Sequence, residues 1–432
     1  HRPSGEAYSR DFKGPTWRDL RNIEVGYEER SPAVVVVGAG QAGLSIAARL
    51  RQLKVDALVV EKNERVGDNW RNRYHTLTLH NQVQVNHLPY MPFPPTWPTY
   101  IPKDKLAGWF ETYAEAMELK VWTATEVGGG QYDPVKRRWS IELRSSDGRR
   151  QTLTPQHVVM ATGVSGIPNL PDDIPSFTDF AGTTVHSEEY TDGIAWQGRK
   201  ALVLGTGNSG HDIAQDLYVN GVDVTMIQRS PTMVVNIEPS AQLPYALYEE
   251  GPSLEDCDLL AAATPLKVLR KMHQLVTEKA KIFDKTLLDA LSGAGFVLDY
   301  GKNNTGWQFK YLERGGGYYF NVGCSDLIAN GQIRVVQFQD VDRFIAAGAK
   351  LNNGETLDAD LLVSATGYKG QHHLVASLFG QEVSNRCGPI WGFDEESQEL
   401  RNMWMRTGQP GLWFFAGSFA QCRIFSRTLA QV

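Results

Sequence analysis

The pattern of apolar and polar positions changes period twice along the chain, in nearly the same way each time. Residues 34–37 read VVVV, an uninterrupted apolar run that fits a strand covered on both faces. LSIAARLRQL then follows with helical spacing, and ALVVEK is apolar again. The order strand, helix, strand recurs in KALVLGTGNSGHDIAQDL, from Lys200, and VDVTMIQRS, from Val222. Two more apolar runs, HVVMATG at 157–163 and DLLVSATGYK at 360–369, both close on Ala-Thr-Gly, where small residues let the chain pass close to other backbone or to a ligand. The run LKVLRKMHQLVTEKAKIFDKTLLDAL has the spacing of an amphipathic helix pair laid over a cleft. FAGTTVHSEEY, 180–190, has neither a helical period nor clean strand alternation, and read alone fits a turn at its glycine with aromatics plugging a small satellite core.

What joins strand to helix in each repeat carries the chemistry. Gly38, Gly40 and Gly43 sit in a GxGxxG turn: the first permits the tight turn, the second lets a pyrophosphate reach the helix N-terminus, and the third allows helix to pack on strand. Glu61 ends the next strand, where a carboxylate accepts hydrogen bonds from the ribose hydroxyls of an adenosine. Gly205, Gly207 and Gly210 repeat the frame around Asn208 and Ser209. The position matching Glu61 is Gln228, followed by Arg229. A neutral amide and a guanidinium can receive a 2'-phosphate that a carboxylate would repel. The first unit is therefore expected to hold FAD and the second NADPH. The expected fold class is α/β, with two Rossmann-like dinucleotide-binding domains, the NADPH domain inserted in the FAD domain. The boundaries are an N-terminal extension at 1–31, an FAD domain at 32–164 and 368–432, and an NADPH domain at 165–367 with a helical insertion at about 238–315.

Composition adds exclusions. A net charge of -6 with 21% charged residues gives no basic field for nucleic acid. No apolar run approaches the roughly 20 residues that span a bilayer. Cys257, Cys324, Cys387 and Cys422 are far apart, offer neither a CxxC pair nor zinc-ligand spacing, and read as reduced thiols of a cytoplasmic protein. No metal is expected. The chain opens at His1 and reads as trimmed, so a targeting signal upstream lies outside this reading.

Phe180, Gly182, His186 and Tyr190 match the fingerprint FxGxxxHxxxY, and with the two glycine turns the chain resembles the flavin-containing monooxygenases, which include the YUCCA-type enzymes. The resemblance implies that the fingerprint couples NADPH binding to the flavin, with His186 and Tyr190 in the catalytic machinery. It implies that Gly67, Trp70 and Arg71 form the flavin loop, with Asp68 replacing a second family glycine, and that Asn81, or alternatively Asn86, lies near the reacting oxygen. Thr162 and Gly163, with Thr366 and Gly367 of the Ala-Thr-Gly-Tyr motif, are expected at the cofactors. The implied reaction is reduction of FAD by NADPH, formation of a C4a-peroxyflavin with O2, and transfer of one oxygen atom to a small organic substrate. N- or S-oxygenation and oxidative decarboxylation of an aromatic 2-oxo acid are the leading outcomes. A Baeyer-Villiger monooxygenase is an alternative, although its fingerprint ends on Trp where this chain has Tyr190. A flavin reductase or oxidase is another, but a disulfide reductase would need a close cysteine pair. A monomer or homodimer is expected, and His80, His372 and His373 read as ordinary polar residues.

Overall fold

A computed structural model describes residues 12–164, 166–174, 176–249 and 251–432. Ten strands build its two main sheets: β1 Val34–Val37, β2 Ala57–Val60, β3 Val121–Trp122, β4 His157–Met160, β5 Thr183–His186, β6 Lys200–Leu204, β7 Asp223–Gln228, β8 Arg334–Gln337, β9 Leu361–Ser364 and β10 Leu412–Phe414. Every pairing in both sheets is parallel. The first sheet runs β10-β4-β1-β2-β3 and the second β5-β9-β6-β7-β8. The fold is thus α/β with two doubly wound parallel sheets. Parallel strands need both faces covered, and the central ones comply: Val34 to Val37 and Ala201 to Leu204 are all buried.

The helices Gln41–Gln52 and Asn208–Val219 follow the two glycine turns. All five strands of the second sheet lie between residues 183 and 364, whereas the first sheet gains β10 from beyond them. One three-stranded antiparallel sheet lies in each interval between a glycine turn and its Ala-Thr-Gly, within 125–153 and 341–358. Their short alternating strands left a weaker signal than the buried parallel runs. Of the expected extension, residues 1–11 lie outside the described residues. The helix Trp17–Val25 is capped by Thr16 and Asp19, and Arg21 donates to the Glu118 carbonyl at 2.8 Å.

The 180–190 stretch departs from expectation. Thr183–His186 is a strand, β5, pairing with β9 at the sheet edge. Thr183 and Thr184 are exposed and Val185 and His186 covered, so no alternation shows along it. The helix pair is present as Leu266–Phe283 and Lys285–Gly293, but Leu254–Ala263 and Gly306–Arg314 belong to the same region.

Candidate active site

The two glycine turns repeat down to single contacts. A Cβ on Gly38 would stand 2.8 Å from the Ala161 carbonyl oxygen, and one on Gly205 would stand 2.3 Å from that of Ala365. These close passages are why both Ala-Thr-Gly runs recur. Gly38 and Gly205 also have φ of 105° and 115°, the left-handed region that glycine tolerates. A Cβ on Gly43 would meet the Gly38 oxygen at 1.8 Å, and one on Gly210 the Gly205 oxygen at 2.2 Å, so helix and turn are in backbone contact. The middle glycines differ. A Cβ on Gly207 would find no atom within 4 Å, and one on Gly40 only Asn69 Nδ2 at 3.3 Å, so each helix N-terminus opens on free space. That is the room a pyrophosphate requires, and both turns fit one.

The strand ends diverge as well. Glu61 is buried, accepting from the Ala39 amide at 2.7 Å and from Asn63 N and Nδ2 at 2.9 and 2.7 Å. A carboxylate offers about four acceptor positions, which leaves capacity for a ribose hydroxyl. Gln228, expected beside the 2'-phosphate, is instead committed to the protein. It is buried, bonded both ways to Val297 at 2.9 and 2.8 Å, and accepts from Gln337 Nε2 at 2.8 Å. Arg229 is exposed beyond β7 and has no hydrogen bond or ion pair among the described residues, leaving its guanidinium free for an anion.

At the loop expected to meet the flavin, Gly67 is the left-handed cap, and a Cβ there would stand 2.4 Å from the Ala107 oxygen. The replacement at Asp68 is explained locally: its carboxylate accepts from the Arg65 amide at 3.0 Å and pairs with Arg71, so one glycine suffices for the turn. Arg71 also meets Glu111 at 3.2 Å. Trp70 stacks near Phe419, 6.1 Å between ring centres, with its indole N–H buried and unpartnered among the described residues.

A cavity of about 880 Å³ lies between these parts. Trp70, Asn81, Asn86 and Asn208 line it, as do Tyr245, Trp307, Tyr318, Phe320, Trp404 and Phe419. Asn86 is buried and donates to the Asn81 carbonyl at 2.9 Å, while Asn81 Nδ2 lies 3.4 Å from the Tyr245 hydroxyl. No Lys or Arg among the described residues lines the cavity. Of its histidines, His273 is held down to about 4 by burial. The helix Leu266–Phe283 supplies Leu266, Leu269 and Met272, and Leu247, Leu260, Met272 and Met405 are at once lining and exposed, which makes the mouth apolar. Sequence reasoning missed most of the aromatic wall because it comes from separate stretches, although the density of rings between Phe296 and Phe320 was a signal.

The fingerprint residues lie elsewhere. A Cβ on Gly182 would stand 2.3 Å from the Phe180 ring, so the glycine is there to let the phenyl fold back on the chain. His186 is buried. Its Nε2 lies 3.2 Å from the Gly367 carbonyl, and its Nδ1 accepts from the Glu188 amide at 3.2 Å, which fixes the Nε2–H tautomer. Burial lowers its pKa. The Tyr190 hydroxyl donates to Asp216 at 2.6 Å inside the core of the second sheet. Neither residue lines the cavity; His186 ties β5 to the 365–367 passage and Tyr190 bonds to the helix Asn208–Val219. Thr366 Oγ1 donates to the Asn169 carbonyl at 2.6 Å, Gly367 accepts from the Asn169 amide at 2.9 Å, and Thr162 accepts from Gln371 at 3.2 Å. Gly163 and Gly367 take left-handed φ of 77° and 82° at the two passages. Asn208 Oδ1 accepts from the Phe320 amide at 3.2 Å, and the Ser209 hydroxyl has no hydrogen bond among the described residues.

Residues 35–250 match the family model described as pyridine nucleotide-disulphide oxidoreductase. The chain is 31% identical over 344 residues to the indole-3-pyruvate monooxygenase YUCCA1 of Oryza sativa subsp. japonica, covering 78% of this chain and 77% of that protein. The chain belongs to the flavin monooxygenase family. It is 30% identical over 339 residues to a probable indole-3-pyruvate monooxygenase, YUCCA4, of Arabidopsis thaliana, covering 78% and 76%. Among solved structures it resembles a flavin-containing monooxygenase from Stenotrophomonas maltophilia, with a TM-score of 0.64 at 17% identity over 93% of this chain and 98% of that one. It also resembles OTEMO in complex with FAD and NADP, with a TM-score of 0.66 at 16% identity over 93% and 84%. Flavin monooxygenases of this family carry two nucleotide units, as this chain does, and its four cysteines are all free and buried.

Proposed function

We propose that the protein is an FAD- and NADPH-dependent monooxygenase that transfers one oxygen atom of O2 to the soft nitrogen or sulfur of a small, neutral, largely apolar molecule. Membership of the flavin monooxygenase family carries the reaction class and both cofactors. The composition of the cavity wall supports the substrate class: rings and aliphatic chains, an apolar mouth and no Lys or Arg among the described residues. When bound, the flavin supplies the acceptance of hydride from NADPH and the activation of O2.

The chain's own residues do the rest. The open N-termini after Gly40 and Gly207 receive the pyrophosphates, and Glu61 takes the ribose of FAD. Arg229 takes the 2'-phosphate of NADPH by charge-assisted hydrogen bonds. Trp70, Trp404 and Phe419 keep water from the reacting centre, and the Asn81 and Asn86 amides offer hydrogen bonds beside it. His186, neutral and fixed between Glu188 and Gly367, braces the passage on which the two nucleotide units meet. The four free cysteines support placing the protein in the cytoplasm.

A second reading, oxidative decarboxylation of an aromatic 2-oxo acid, is favoured by the identity to the rice and Arabidopsis proteins and by the aromatic walls. Against it stands the absence, among the described residues of the wall, of a permanent cation for the substrate carboxylate. The deciding experiment is a product assay with NADPH over amines, sulfides, ketones and aryl-pyruvates. Sulfides or amines should give the highest kcat/KM. A higher value for an aryl-pyruvate would establish the second reading, one for ketones a Baeyer-Villiger enzyme, and peroxide alone an oxidase.

A further inference from the structure

We propose that His80 carries the proton that oxygen transfer consumes, with Asp212 and Tyr74 as its positioning residues. The inference rests on the monooxygenase reading and deepens it. His80 lies on the strand Thr78–Gln82, and its ring lines the cavity next to Asn81. Its Nε2 faces Asp212 Oδ2 at 3.9 Å, an ion-pair separation, and its Nδ1 has no hydrogen-bond partner among the described residues. The ring is tilted against Phe320, with centres 5.7 Å apart, which limits its rotation.

Asp212 comes from the other nucleotide unit, on the helix that opens at Gly207. Its side chain is 10% exposed, and no Lys or Arg among the described residues pairs with it. The Tyr74 hydroxyl donates to it at 2.6 Å, and Tyr319 and Cys324 are the other titratable groups facing it. A carboxylate taken out of water needs compensation, and among the described residues His80 is the group placed to bring a positive charge to it. Burial raises the Asp212 pKa, while His80 and Tyr74 oppose that rise. A carboxylate behind an imidazole that opens on a cavity is the arrangement by which side chains hold and release protons. Tyr74 fixes Asp212 by its hydrogen bond, the Asp212 carboxylate faces Nε2 at ion-pair distance, and Nδ1 is left to exchange the proton.

The overall reaction needs such a group. Substrate, O2, NADPH and one H⁺ become oxygenated product, NADP⁺ and water. The O–O bond breaks, one oxygen bonds to the substrate, NADPH gives two electrons, and the other oxygen leaves as water with a proton drawn from solvent. His80 passes that proton inward and regains it from water at the cavity mouth. Asn81 and Asn86, being amides, can orient groups in the cavity but cannot relay it.

The test uses the FAD-loaded enzyme, NADPH and an aryl methyl sulfide. In His80→Gln, FAD content and the anaerobic rate of flavin reduction by NADPH should stay within about threefold of wild type. The rate of sulfoxide formation should fall by roughly 100-fold, the lower end of general acid–base effects, with peroxide released in its place. Added imidazole should recover part of the lost rate together with a solvent deuterium isotope effect. Asp212→Asn should slow sulfoxide formation about tenfold with FAD retained. Wild-type sulfoxide rates in His80→Gln would overturn the inference, as would equal loss of reduction and oxygenation without imidazole rescue. A wild-type enzyme that converts no substrate of the panel would overturn the functional reading and the inference together.

Discussion

At the scale of single residues, the glycines of the two turns separate into kinds that the motif alone does not distinguish. Gly43 and Gly210 are fixed by backbone a Cβ would strike, whereas Gly207 faces space that only a ligand would fill. Gly207→Ala should therefore fold with its FAD and its melting temperature unchanged, yet bind NADPH at least tenfold more weakly, as read from the KM for NADPH and from titration of the oxidised enzyme with NADP. Gly43→Ala should lose FAD. Charge-assisted hydrogen bonds contribute on the order of 1.5 to 3 kcal/mol, so Arg229→Ala should raise the KM for NADPH roughly ten- to a hundred-fold and leave NADH kinetics unaltered. Equal effects on both nucleotides would remove Arg229 from the 2'-phosphate site. The glycine turns were legible because a close strand-to-helix passage demands glycine at particular offsets. The use of Gln228 was not, since its partners Val297 and Gln337 lie 69 and 109 residues away.

Among elements, the helix Phe419–Leu429 joins parts of the cavity that the sequence keeps apart. Arg423, buried, reaches Asp258 on the helix Leu254–Ala263 through two bonds of 2.7 Å, and its Nη1 donates to the Val85 and His87 carbonyls at 2.8 Å each. Leaving one member of a buried pair unmatched costs about 3 to 5 kcal/mol. Asp258→Asn should lie near the lower figure, because the two carbonyls still hold the guanidinium. The check is the urea midpoint of the FAD-loaded protein, with peroxide release per NADPH as a second readout of a loosened cavity wall. The helix Leu266–Phe283 was legible from its amphipathic period. The pairing of Arg423 with Asp258 was not, because a side chain's partner 165 residues away leaves no local period. The strand Thr183–His186 escaped for a different reason: its residues are chosen for the tight packing of Gly182 on Phe180 and for the bonds of His186 and Tyr190, and these override alternation.

For the molecule as a whole, burial sets a pH dependence of stability. His87, His211 and His273 are each held down to about 4, with burial the largest cause, so the folded protein keeps them neutral where the unfolded chain binds a proton at about 6.5. Their contribution is complete above that unfolded value and is lost as pH falls from about 6.5 toward 4, at roughly 1.4 kcal/mol per unit per fully engaged histidine. Urea midpoints should accordingly be flat between pH 7 and 8 and fall steeply between 6 and 5, and His273→Gln should blunt the fall. Both nucleotide units were readable because each is a contiguous run of strand, turn and helix, whereas the cavity is assembled from the insertion, the 78–86 segment and the helix Phe419–Leu429. The strand order has a further consequence, in time. The second sheet draws only on residues 183–364, but β4 must wait for β10, some 250 residues further along, to cover its outer edge. Sequence-local pairings close sooner than distant ones. The inner unit should thus mature first and hold the ends of the outer one close enough to meet, so that damage to the NADPH unit would show itself as delayed FAD uptake during refolding.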